Sequence, residues 1–76
     1  MSDFELDARR LLCPMPVIRT QDRIKELTSG DQLTVHCTDP GALEDIPAWC
    51  RINGHKLISS IREDSEIHIT IHVGAE

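Results

Sequence analysis

The order of patterned segments predicts an α/β (α+β) fold, a mixed four-stranded sheet with two helices on one face, in the order βαβαββ. Three observations carry it. Four segments alternate apolar and polar residues, and two others repeat at helical spacing. Turn residues at Gly30, Asp39-Pro40-Gly41, Gly54 and Arg62 to Ser65 separate them. The 76 residues leave room for one domain, 1–76, with a small core.

In the first strand Phe4, Leu6 and Ala8 point inward, with Glu5 and Asp7 outward. A helix is expected from Pro14 to Leu27, its buried stripe made by Val17, Ile24 and Leu27 with Thr20 or Gln21 between them. Gly30 supplies its stop signal. Leu33, Val35 and Cys37 face inward on the second strand, against outward Gln32, Thr34 and His36. A second helix is expected to start with Asp39 as N-cap and Pro40 at its first position. Leu43, Ile46 and Cys50 share its apolar face, while Pro47 predicts a break, with Asp45 recapping a short helix that ends at Gly54. "KLISSI" and "EIHITIHV", joined by "REDS", read as a closing hairpin.

Composition narrows function. Phe4 and Trp49 are the only aromatic residues apart from histidines, so platforms for stacking single-stranded bases are absent. A net charge of −5 argues against direct grip on nucleic acid or an anionic membrane. Within residues 9–25, however, Arg9, Arg10, Arg19, Arg23 and Lys25 face only Asp22, a local +4 that leaves −9 elsewhere. This is either a solvated helix face or a basic surface around Cys13. The three cysteines form no CxxC pair, which suggests neither a disulfide framework nor a zinc ribbon. With no leader, lipidation motif or apolar run of ~20 residues, a reducing cytoplasm is the expected location.

The stretch "LLCPMPVIRT" holds the chemistry. Proline is harmless in a first helical turn, and the residue before it is pushed to extended geometry. Pro14 and Pro16 therefore start a helix and hold Cys13 ahead of it. Met15 and Val17 are left as the amide donors of that start, because a proline has no N–H. Met15 precedes Pro16 and resists helical geometry, so the helix begins at either proline. A helix N-terminus and nearby arginines would lower the Cys13 thiol pKa below its unperturbed ~8.5. Cys37 and Cys50 lie on inward registers and read as core residues.

The histidines raise a metal reading. His68 and His72 share one face of a strand with His36 on the outward register of its own, yet two histidines four apart in a strand lie roughly 13 Å from each other, too far to chelate one ion. Polar residues on a solvated sheet face are the simpler account, and no metal is expected. His55 is expected to cap or orient the turn into the third strand.

"LDARRLLCPMPV" resembles the signature of the TusA (SirA-like) sulfur-carrier family, and "SGDQLTVHCTDPGALEDIPAWCRINGHKLI" resembles its second half. The resemblance covers nearly the whole chain. Arg10 departs from it, standing where the family usually has glycine. The family implies a two-layer α/β sandwich without a cofactor, a monomer when free, that carries sulfur as a persulfide on Cys13. It implies a cysteine desulfurase or rhodanese as donor and a DsrE/TusD-like protein as acceptor, in tRNA 2-thiouridine synthesis or oxidative sulfur metabolism. Arg9, Arg10, Arg19 and Arg23 are then the expected partner surface. Two other classes compete: a thiol redox sensor using two of the cysteines, disfavoured by the missing CxxC, and a regulatory binding module without chemistry, disfavoured by the Cys-Pro-x-Pro placement.

Overall fold

The computed structural model describes residues 2–74. The elements run β1 (Asp3–Ala8), α1 (Met15–Ile24), β2 (Gln32–Cys37), α2 (Ala42–Asn53), β3 (Lys56–Glu63) and β4 (Glu66–His72). They build the expected mixed sheet, in the order β1-β2-β4-β3. β1 and β2 are parallel, and β4 lies antiparallel between β2 and β3. The two central strands carry the strictest alternation: Leu33, Val35, Cys37, Ile67, Ile69 and Ile71 are buried, and each residue between them is half-buried on the other face. A period of two leaves one face for the helices and the other for solvent. Ala42, Ile46 and Cys50 of α2 and Ile24 of α1 complete this aliphatic core.

Helix α1 is shorter than the sequence suggested. Pro14 is its N-cap, Met15 its first residue, and Thr20 rather than Gln21 fills the buried stripe. The Thr20 hydroxyl donates to the Pro16 carbonyl at 2.8 Å, so no buried polar atom is stranded. After Ile24 the chain tightens into turns, Glu26 N–H bonding Arg23 and Leu27 N–H bonding Ile24, and this ends the helix before Leu27.

Helix α2 corrects two expectations. It runs through Pro47 unbroken, since a proline one and a half turns in removes only the bond to the Leu43 carbonyl, and its ring is buried among core residues. Its N-cap is Gly41, not Asp39, and Asp45 recaps nothing. The Asp39 carboxylate instead accepts the Gly41 N–H at 3.1 Å, shaping the turn before the helix. At the other end Gly54 takes φ 78°, a left-handed cap that lets His55 N–H reach the Cys50 carbonyl.

Buried Asp31 fastens the start of the chain to the turn between α1 and β2. Its carboxylate accepts N–H groups from Ser2 and Thr28 and the Thr28 hydroxyl, which together hold its pKa below the usual carboxylate range. His55 stacks on Trp49 and accepts the Gly74 N–H through Nδ1, tying the end of α2 to the end of β4 rather than only shaping a turn.

Candidate functional site around Cys13

β1 and β2 are parallel, so the loops leaving their carboxyl ends emerge side by side, a common place for function in such sheets. The first loop carries Cys13 and the second leads into α2. Two hydrogen bonds fasten them: Arg10 N–H to the Thr38 hydroxyl at 2.9 Å and Cys13 N–H to Asp39 Oδ2 at 2.7 Å. Asp39 thus uses one oxygen on Gly41 and the other on Cys13. Arg10 adopts φ 68°, a left-handed conformation, at the position where the resembling family has glycine.

From this loop the Cys13 thiol, exposed, donates to Asp45 Oδ2 on α2 at 2.8 Å. That contact reverses the expectation for its acidity. The Asp45 hydrogen bond raises the thiol pKa above its ordinary value, with further increments from desolvation and from the charges of Asp45 and Asp39. The expected donors are also engaged elsewhere: Met15 N–H bonds the Leu12 carbonyl and Val17 N–H the Pro14 carbonyl. A hydrogen bond from the thiol to a carboxylate outweighs the partial charge of a helix terminus whose first amides are already bonded. The carboxylates win, and the resting group is a thiol.

Cys37 and Cys50 are fully buried, and burial pushes both thiols up to about 11. Cys13 is the one accessible thiol among the described residues. Three apolar side chains near it in sequence are exposed: Leu12 is 75% exposed, and Met15 and Ile18 project from α1 three residues apart, hence on one side of the helix.

The arginines separate. Arg9 binds Asp7 at 2.9 Å and reaches Glu66 at 3.4 Å, which places it on the open sheet face. Arg23 pairs with Glu26 and lies over the Phe4 ring at 5.0 Å. Arg10 and Arg19 make no ion pair among the described residues. Asp39 and Asp45 are the residues bonded to Cys13 that sequence reasoning missed. Their Asp-Pro-Gly and Asp-Ile-Pro settings were the available signal, but both read locally as helix starts.

The described residues include no helix long and apolar enough to cross a membrane. A family model described as Sulfurtransferase TusA matches residues 4–73. The chain is 44% identical over 73 residues to the putative sulfur carrier protein YrkI of Bacillus subtilis, covering 96% of this chain and 97% of that one. It is 38% identical over 73 residues to the sulfur carrier protein TusA of Allochromatium vinosum, covering 93% and 96%. The crystal structure of a SirA-like protein from Desulfitobacterium hafniense superposes with a TM-score of 0.82 at 24% identity, over 95% of this chain and 99% of that chain, so the fold is shared. With a family model spanning the sheet, both helices and the thiol loop, this chain belongs to the TusA family.

Proposed function

We propose that residues 1–76 act as a sulfur carrier, a sulfurtransferase domain that holds sulfane sulfur as a persulfide on Cys13. The observation that carries this reading is one accessible thiol, on a loop fastened to α2, with a carboxylate at hydrogen-bond distance. The names of the relatives as sulfur carrier proteins agree with it.

The chemistry needs a thiolate, and the resting group is a thiol. Asp45 is placed to hold the proton as Cys13 Sγ attacks the outer sulfur of a donor persulfide. The S–S bond of the donor breaks, the donor cysteine leaves as a thiolate and takes up a proton, and Cys13 gains one sulfur. In the second half an acceptor thiolate attacks that outer sulfur, and Cys13 leaves and recovers its proton. Sulfur moves between thiols with no external oxidant or reductant. The donor class is a cysteine desulfurase or rhodanese, and the acceptor class a DsrE/TusD-like protein, in the cytoplasm. Leu12, Met15 and Ile18 form the contact rim, and Arg10 and Arg19, which make no ion pair among the described residues, steer acidic partners.

Loading with a desulfurase and cysteine, read by intact mass, tests the assignment. One added sulfur is expected on the parent, on Cys37→Ser and on Cys50→Ser, and none on Cys13→Ser. An adduct that persists in Cys13→Ser would refute it.

A further inference from the structure

The loop that carries Cys13 is fixed through its backbone. Cys13 N–H donates to Asp39 Oδ2 at 2.7 Å, Gly41 N–H to Asp39 Oδ1 at 3.1 Å, and Arg10 N–H to the Thr38 hydroxyl at 2.9 Å. Movement of the sulfur is left to χ1, a torsion with three staggered wells. The side chain occupies the well that sets Sγ 2.8 Å from Asp45 Oδ2 on α2, with the thiol hydrogen between them. If Cys13 carries sulfur, as proposed above, loading replaces that hydrogen with a second sulfur. An S–S bond is about 2.05 Å long, so a sulfur on the line of the present hydrogen bond would stand within about 1 Å of Oδ2. Nothing of that size fits there. Charge acts in the same direction. A hydropersulfide is a stronger acid than a thiol, so the loaded group gives its proton to water and holds a negative charge on its outer sulfur. A neutral thiol donates to Asp45, whereas an anion is repelled by it and by Asp39. The Asp45 hydrogen bond, desolvation and the charges of these two carboxylates already raise the pKa of the empty thiol. Cys13 is exposed, so the sulfur has solvent to turn into.

We propose that Asp45 senses the load on Cys13: it holds the empty side chain against α2 and expels the persulfide, so that the loaded carrier turns its outer sulfur away from α2 into solvent. The two states then present different surfaces from one loop whose backbone stays tied to Asp39. In the empty state the thiol lies against the carboxylate that holds its proton during attack on a donor persulfide. In the loaded state the outer sulfur stands clear for an acceptor thiolate. Donor and acceptor must approach the same residue, and the turn gives each a different form of it to recognise. The turn itself breaks no covalent bond and transfers no electron. The one proton released is that of the hydropersulfide, to water.

The test is nuclear magnetic resonance of the ¹³C,¹⁵N-labelled parent chain, empty and then loaded with a desulfurase and cysteine, with intact mass counting the added sulfur. Loading should change the three-bond couplings across the Cys13 Cα–Cβ bond to those of another staggered well and shift the Asp45 Cγ resonance. In Asp45→Asn the side-chain amide can donate to a sulfur anion, so empty and loaded forms should share one well. Release of sulfide from the loaded variant to a small dithiol should slow several-fold against the parent. An added sulfur with unchanged Cys13 couplings in the parent would overturn the sensor while leaving the carrier reading intact, and this readout does not depend on a variant folding. A turn of equal size in Asp45→Asn would also overturn it, since the movement would then owe nothing to the carboxylate. Failure of the parent to gain sulfur on Cys13 would remove both readings together.

Discussion

Cys13 and Arg10 show how single residues set the behaviour of this loop. The Cys13 proton is held by Asp45, which defines a measurable consequence. The rate of alkylation of Cys13 against pH should show a midpoint above the free-thiol value, because the neighbouring carboxylates oppose the thiolate. Asp45→Asn removes that charge and leaves an amide that can donate to sulfur, so its midpoint should fall and its alkylation near neutral pH should quicken. A midpoint unmoved by Asp45→Asn would show that the contact does not control acidity. Arg10 at φ 68° bears the steric penalty of a side chain in left-handed geometry, about 1–2 kcal/mol, and only its backbone N–H bonds a neighbour. Glycine removes the penalty but gains freedom in the unfolded chain, so Arg10→Gly should stabilise by about 1 kcal/mol, a rise of ~4–8 °C in melting temperature. A lower melting temperature would mean the arginine side chain packs usefully. The thiol's position was legible in the sequence from two prolines. Its acidity was not, since that depends on a carboxylate 32 residues away.

At the scale of elements, periodicity carried most of the information. Strand alternation placed Leu33, Val35 and Cys37 inward, and the hairpin followed from polar residues between two alternating runs. What periodicity could not resolve was punctuation. Pro47 reads as a breaker by local rule, yet the packing of its buried ring and of Ile46 and Cys50 keeps α2 whole. Asp39 and Asp45 read as caps because short acidic residues favour helix starts, while their partners belong to a loop far away in sequence. Gly54, by contrast, was legible as a stop. Nothing lies within 4 Å of where its Cβ would be, so the penalty at φ 78° is conformational alone. Gly54→Ala should cost about 1 kcal/mol in urea unfolding, and Gly54→Asn less, because asparagine tolerates left-handed geometry. Equal losses for the two would point to a cause other than backbone conformation.

For the molecule as a whole, if Cys13 carries sulfur as proposed, the distribution of charge and apolar surface decides how a partner reaches it. The five cations clustered in sequence do not form one basic surface. Arg9 is drawn to the open sheet face and Arg23 to Glu26, so steering falls mainly to Arg10 and Arg19. On the proposed carrier reading, close contact falls to Leu12, next to Cys13, and to Met15 and Ile18 at the start of α1, all exposed. Donor and acceptor must approach the same sulfur, so both footprints should include this rim and exclude each other. Leu12→Ser combined with Ile18→Ser should slow sulfur loading and unloading about tenfold or more, with alkylation of Cys13 by a small reagent and the melting temperature nearly unchanged. Salt separates the two contributions. Arg19→Glu should slow loading at low ionic strength and approach the parental rate as salt rises, because steering between exposed charges is screened over a Debye length of ≈ 10 Å at 0.1 M. The apolar variant should stay slow at every salt concentration, since buried contact area at an interface does not depend on that screening. If it loads at the parental rate, the rim is only surface, and recognition must rest on the loop backbone and the arginines.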